Sequence, residues 1–316
     1  PYRGIDRESE STWIATKSRD AFEDLWGELV AFKRRHFSAR REIEVVNGGW
    51  LPRPRFDWSD LVLPAGMAEE IRRHAESFLA AREHYKALRL PYRRGFLFAG
   101  PPGVGKTFAV KVLYSKLRAS AFALDLKSET KDGDLKRAFD AAAAAAPSVL
   151  LLEDLDRIVG GKEVSMSFLL NLLDGLEPKE GLLLVATTNA PEKLDQALLH
   201  RPSRFDRVWH FPLPGLPERL RLMEKRGQGR FSQAALQRAA ERSAGFTMAY
   251  AQEAVVSALL AALFEKRTAT DADLLASVDE LAQQVREGHK KDGLLKADAP
   301  VGFAASSNGR ERAAAE

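Results

Sequence analysis

The 316-residue chain contains no cysteine. Disulfides and cysteine-ligated metals are thereby excluded, and the expected setting is cytoplasmic or another intracellular compartment. Its six histidines are scattered, without the close spacing of a metal site. Long apolar runs are missing as well. Even the uncharged apolar run Ala254 to Phe264 falls short of the roughly 20 residues that a membrane span needs. No secretory signal pattern is visible, and an opening on Pro1 rather than Met leaves room for an upstream segment, an anchor or a targeting signal. Charge of one sign is also scarce. A net charge of +4 is too small to argue for nucleic acid as a partner. The basic run Lys33-Arg34-Arg35-His36 with Arg40-Arg41 adjoins the amphipathic stretch Phe22 to Phe37. It reads as the solvated face and end of a helix before it reads as a contact for nucleic acid or acidic lipid.

What is present is ordinary soluble-globular composition, 45% apolar and 29% charged, enough to bury a large core. Residues 1–55 combine a helical pattern with a β-like EIEVV that ends at Asn47-Gly48-Gly49, a turn signal. Ile71, Ala75, Phe78, Leu79 and Tyr85 then recur at helical spacing. From there the chain alternates. GFLFAG, AFALDL, VLLL, LLLVATTN and VWHF read as strands. KTFAVKVLYSKL, DLKRAFDAAAAAA and SMSFLLNLL read as the helices between them, the second ended by Pro147. Short, continuously apolar strands separated by helices require a parallel sheet covered on both faces, an α/β fold. After Phe211-Pro212-Leu213-Pro214-Gly215 only helical patterns remain, at 217–226, 232–244, 248–266 and 271–287. The expected organisation is an N-terminal α/β segment at 1–55, a large α/β subdomain at 56–214, a small all-helical subdomain at 215–290, and a disordered tail at 291–316.

The chemistry lies at the strand ends. Gly100-Pro101-Pro102-Gly103-Val104-Gly105-Lys106-Thr107 fits G-x-x-x-x-G-K-[ST] between a predicted strand and helix. Its glycines let the backbone curl so that successive N–H groups face phosphates, and the helix behind adds its positive end. Lys106 is suited to the β and γ phosphates and Thr107 to Mg²⁺. VLLLEDLD places Glu153 and Asp154 at the end of a second buried strand. There one carboxylate can hold the metal's shell and the other can orient water. Thr187-Thr188-Asn189 closes the next strand, where an amide could meet the γ phosphate or the attacking water. Taken alone, Asn there is an ordinary turn former. Arg201 and Arg204, three apart across a proline, fit either local salt bridges or fingers on a neighbour's phosphoryl group.

In order, RRGFLFAGPPGVGKT, PSVLLLEDLD, ATTNAPEKLD, LDQALLHRPSRFDRVWHFPLP and SAGFTMAYAQEAV resemble the AAA family of ATPases within the AAA+ group. They are similar to its strand plus Walker A, Walker B, sensor 1, second region of homology, and the GFSGAD-type segment of the helical lid. The resemblance spans about residues 56 to 266. It implies a P-loop NTPase sheet of five parallel strands with a helical lid, ATP and Mg²⁺ as cofactors, and Mg²⁺-dependent hydrolysis. It also implies a homo-oligomeric ring, usually hexameric, with each ATP at a subunit interface, acting on a protein client. Asn189 becomes sensor 1, and Arg201 and Arg204 become trans-acting fingers. Phe108, Gly245 and Ala249 join the phosphate loop at the nucleotide, and Asp57 with the segment after it borders the adenine.

Two departures stand out. Glu153-Asp154 reverses the commoner Asp-Glu order, which shifts each carboxylate by roughly 1 to 1.5 Å, about one bond length. The same order is found in the branch resembling the mitochondrial AAA translocase of the folded Rieske protein. Glu153 is therefore expected on the metal side and Asp154 as the water-orienting base. Second, Lys127 to Asp134 lacks the aromatic residue with which unfolding members grip a threaded chain, and reads as a solvated loop. The leading expectation is an ATP-hydrolysing ring that remodels or moves protein clients. The alternatives are a nucleotide-gated assembly scaffold with little turnover and a DNA-acting AAA+ factor.

Overall fold

Strands that are apolar at every position need cover on both faces, and the structure, a computed structural model, supplies it. It describes Ser18, Asp20, Ala21, Asp24, Leu25 and Glu28, then residues 42–291 except 47–48, 127–129, 159–165, 175–179 and 195–203. Residues 1–41 and 42–316 are two separate units. In the first, the described positions from 20 to 28 are helical, and the Ala21 N–H donates to Ser18 Oγ at 3.2 Å. The basic run at 33–41 and the tail at 292–316 lie outside the described residues.

The second unit is built on seven strands: β1 (Glu42–Val45), β2 (Gly49–Pro52), β3 (Arg93–Ala99), β4 (Ser120–Asp125), β5 (Ser148–Glu153), β6 (Leu182–Thr188) and β7 (Arg207–His210). Their order is β2-β1-β4-β5-β6-β3-β7, parallel except for the β1–β2 pair. The five expected parallel strands are β3 to β7. β1 and β2, placed by the sequence in the segment 1–55, extend the same sheet, because Ile43 is buried and pairs with Ala121 of β4.

Alternation sorts each strand into two cores. Along β5, Val149 and Leu151 pack to one side and Leu150 and Leu152 to the other. The first side is covered by α1 (Met67–Ala80) and α3 (Lys106–Lys116), with the short α2 (Arg82–Ala87) following α1. The helix expected from Ile71 to Tyr85 breaks at Ala81, whose N–H turns back to Phe78 O, while Tyr85 joins a ring cluster with Phe78 and Tyr92. The other side is covered by α4 (Asp132–Ala144) and α5 (Met166–Asp174). In α4, Leu135, Ala138, Phe139 and Ala142 form the buried stripe, so the alanine run is a packed helix. The loop expected at 127–134 is shorter than it reads: Thr130 is buried, and Asp132 to Asp134 are the first turn of α4, with Asp134 accepting from the Lys131 N–H at 2.9 Å. Its first three residues, 127–129, lie outside the described ones.

Beyond β7 come α6 (Leu216–Gly227), α7 (Gln233–Arg242), α8 (Met248–Phe264) and α9 (Asp271–Lys291), packed on a third core. Ser232 and Thr247 cap α7 and α8 with their side-chain oxygens. The buried Arg219 ties this lid to the connection before it, donating to Pro214 O at 2.7 Å and Ala240 O at 2.9 Å. The extended segment Leu61-Val62-Leu63 is the seam. Leu61 and Leu63 enter the sheet core and Val62, between them, enters the lid core.

Candidate nucleotide site

The cavity on this seam has a volume of about 570 Å³, within the range of small-molecule sites. Its core wall carries Pro102, Gly103, Gly105, Lys106, Thr107, Phe108, Asp154 and Asn189. Its lid wall carries Leu222, Arg226, Met248, Ala249, Gln252 and Glu253, and the seam adds Asp60, Leu61 and Val62.

The loop 100–105 takes its shape from glycine. Gly103 has φ +76° and Gly105 has φ +101°, left-handed values that cost a side-chain-bearing residue about 1–2 kcal/mol. A Cβ on Gly103 would also stand 2.9 Å from Thr247 Oγ1 and 3.1 Å from Ala249 Cβ. The lid therefore approaches bare backbone, and the Ala249 N–H donates to Gly103 O at 3.0 Å. α3 starts at once behind Gly105 with no side-chain cap and no acid in its first turn, so its N–H groups and positive end face the cavity. At its far end Arg53 caps α3, donating to Tyr114 O at 3.2 Å and Leu117 O at 3.0 Å.

Lys106 is buried. Its Nζ donates to Gly100 O at 2.6 Å, Pro101 O at 2.8 Å and Asn189 Oδ1 at 2.8 Å. Burial pushes its pKa down to about 8 against the opposing pull of Asp154 and Asp156. Asn189 Nδ2 donates in turn to Asp154 Oδ1 at 2.9 Å. Asp154 has φ +53°, and its N–H donates to Thr187 Oγ1 at 3.0 Å. Its second oxygen, Oδ2, pairs with Arg157 at 2.7 Å. The phosphate loop, sensor-like amide and second strand-end acid thus form one hydrogen-bonded chain.

Glu153 does not line the cavity. Strand alternation puts it with Val149 and Leu151 on the α3 side of the sheet, the side that bears Thr107. Its charge helps burial raise the pKa of Tyr114 on α3. Asp154, past the end of β5, turns into the cavity instead. Of the other expected residues, Phe108 and Ala249 line it, while Gly100, Pro101 and Val104 shape the loop from behind. Asp57 and Gly245 do not line it. Asp57 caps the single turn Trp58–Asp60 and pairs with Lys116, and the cavity is reached three residues later. Gly245, at φ +83°, shapes the turn before α8. Arg204 is buried with its guanidinium on Asp174 of its own chain, Nε at 2.9 Å from Oδ1 and Nη2 at 2.6 Å from Oδ2. Arg201 lies outside the described residues.

The sequence reading missed Asp156. Its Oδ1 accepts from Thr188 Oγ1 at 2.7 Å and from the Asn189 N–H at 2.8 Å, which fixes the amide that meets Lys106. Burial alone would raise its pKa, but these donors outweigh burial and hold it below the usual carboxylate value. The only trace in sequence is the last acid of EDLD, two residues past Asp154. Val62 was missed too. It is buried, lines the cavity, and among the described residues its N–H and C=O make no hydrogen bond.

These residues fit Mg²⁺-ATP: a glycine loop held at left-handed φ, an uncapped helix start, a buried lysine and strand-end acids. They define a P-loop nucleotide hydrolase fold. Residues 96–213 match the family described as "ATPase family associated with various cellular activities (AAA)". The chain is similar to the ATP-dependent zinc metalloprotease FtsH of Acidimicrobium ferrooxidans, 28% identical over 266 residues, 78% of this chain and 39% of that protein. It is also similar to the "Probable mitochondrial chaperone bcs1" of Schizosaccharomyces pombe, 32% identical over 241 residues, 70% of this chain and 52% of that protein. With the mitochondrial chaperone BCS1 of Danio rerio it shares 34% identity over 170 residues, 49% of this chain and 40% of that protein. These matches support an AAA-family ATPase domain over residues 96–213, one that uses ATP with Mg²⁺. The chain spans about two fifths to one half of the length of these relatives. Among the described residues, no helix is long and apolar enough to cross a membrane.

Proposed function

We propose that the chain is the motor of a protein-remodelling machine, in which ATP binding and hydrolysis at the seam move the helical lid against the sheet. One observation carries the reading: Lys106, Asn189 and Asp154 are joined by hydrogen bonds of 2.8 and 2.9 Å at the cavity, and the lid touches the same loop through Ala249. Bound Mg²⁺-ATP supplies the bond to be broken and the metal charge that offsets its phosphates. Thr107 and Glu153 would hold the metal, Lys106 and the α3 N-terminus the phosphates, and Asn189 the γ-phosphoryl end. Asp154 receives the proton of the attacking water. The Val62 backbone edge, with Leu61, Leu222 and Met248 around it, suits a flat base with its own donor and acceptor.

Because Gly103 binds the first turn of α8, any shift of the phosphate loop reaches the lid directly, a hinge-type coupling. The chain acts in a homo-oligomeric ring, a hexamer as is usual in the family, in which Arg201 of a neighbouring copy completes the site. For Arg204 to share that task it has to leave Asp174, or bring Asp174 with it. The client is a protein. The relatives' printed names, a metalloprotease and a mitochondrial chaperone, support protein substrates as a class.

The test is client capture in ATP with Asp154→Asn beside Lys106→Ala. Proteins retained by the first and lost from the second identify the client. ATP-dependent assembly with negligible turnover by the wild-type chain would select the scaffold reading instead.

A further inference from the structure

We propose that Arg157 is a positioning residue for hydrolysis: it anchors Asp154 Oδ2, so that Oδ1 is the oxygen that accepts the proton. The proposal rests on the reading of Asp154 as base. Asp154 Oδ1 takes the proton of a water whose oxygen bonds to the γ phosphorus, while the bond from that phosphorus to ADP breaks and its electrons leave with ADP.

The geometry separates the two oxygens. Oδ1 faces Asn189 Nδ2 at 2.9 Å, and Oδ2 faces Arg157 at 2.7 Å. Arg157 reaches it because residues Leu155–Ile158 form a 3₁₀ turn, in which the Arg157 N–H donates to Asp154 O at 2.9 Å. In such a turn, side chains three apart lie one over the other.

The partners differ in what happens when the phosphate site is used. Lys106 has three N–H donors, and all three are engaged, on Gly100 O, Pro101 O and Asn189 Oδ1. Lys106 can hold phosphate oxygens only by releasing acceptors among these, and Asn189 is then freed to turn from Asp154. Arg157 takes no part in that exchange. It does not line the cavity, and 53% of its side chain is exposed. It is therefore the carboxylate partner that stays when Asn189 turns. An aspartate carboxyl rotates readily about its last torsion, and without a second anchor Oδ1 loses its aim. An exposed pair of this kind adds little to the stability of the fold. Its contribution is orientation.

The experiment compares Arg157→Ala, Arg157→Lys, Asp154→Asn and the double variant Asp154→Asn/Arg157→Ala in the full chain. It reads kcat and KM for ATP, affinity for a fluorescent ATP analogue, melting temperature, and amide exchange across 153–157 without nucleotide. Arg157→Ala is expected to lower kcat by about tenfold to a hundredfold, with KM, analogue affinity and melting temperature unchanged. Exchange across 153–157 should quicken, Arg157→Lys should restore most of kcat, and the double variant should be no slower than Asp154→Asn. An Arg157→Ala chain with wild-type or raised kcat, beside an inactive Asp154→Asn, overturns this inference alone. So does an additive loss in the double variant. If Asp154→Asn itself turns over normally, the base assignment has failed and Arg157 falls with it.

Discussion

On the core side of the cavity, Lys106, Asn189, Asp154 and Asp156 hold one another through charged hydrogen bonds rooted in the ends of β5 and β6. On the lid side, Leu222, Met248 and Ala249 offer small or apolar surface beside Arg226, Gln252 and Glu253, and the wall is joined to the core by the Ala249–Gly103 bond and by Lys225 reaching Ser59 O and Asp60. The core wall is made of groups whose partners are fixed by parallel strands, where a residue's height is set by register. The lid wall is made of a helix start whose distance from the core is set by what glycine leaves out. A charged network can discriminate protonation and phosphate state. A wall hung on few bonds can move.

The comparison is broken most severely at Lys106. Lys106→Ala should weaken ATP binding by at least about a hundredfold in titration calorimetry, because it removes the charge-assisted bonds to phosphate. Next, Asp154→Asn should leave analogue affinity within about twofold while lowering kcat by about a hundredfold to ten-thousandfold. Equal losses in both would mean that Asp154 belongs to binding rather than to the chemistry.

On the lid side, Gly103→Ala should cost about 1–2 kcal/mol from its left-handed backbone alone. It should also push Thr247 and Ala249 away, which would appear as faster amide exchange in the first turn of α8. Unchanged exchange there would show that the phosphate loop does not carry motion to the lid.

The lid should also weaken in acid. Hydrogen bonds from Ser232 hold the Asp271 carboxyl below its usual range, and the Arg267 guanidinium with Thr270 does the same for Asp273. A carboxyl depressed in the folded state gives its full stabilisation above the ordinary value near about 3.9 and loses it as pH falls through the folded value. Amide exchange at the starts of α7 and α9 should therefore quicken below about pH 4, and Asp273→Asn should make that change smaller at the start of α9. The smallest effect belongs to Lys225→Ala, an exposed pair worth about 1 kcal/mol or less. Its check is a melting temperature within a few degrees of wild type and a slightly looser grip on nucleotide.

Much of this could be read in advance. The five central strands announce themselves as apolar runs, and the four lid helices as periodic stretches close to their observed bounds. β1 shows as the β-like EIEVV, but the edge strand β2 does not, since a four-residue strand gains its identity from a neighbour, here β1. Asp57 reads as a border of the base site, yet it is Asp60 to Val62 that reach the cavity, because the turn at Trp58–Asp60 rotates the chain before it becomes extended. Arg204 reads as a residue for a neighbour, yet its guanidinium finds Asp174, thirty positions away, inside its own chain.

Local sequence by itself determined the phosphate loop, the strand-end acids and the alternation that demands a covered parallel sheet, because these depend on backbone freedom and on periods of a few residues. Only the tertiary structure decided that Asn189 stands between Lys106 and Asp154, that Asp156 holds Asn189 in place, and that Glu153 and Asp154 face different ways. Those facts depend on which strands lie side by side and at what register. β6 lies between β3 and β5, and that adjacency brings the three strand ends into one hydrogen-bonded site.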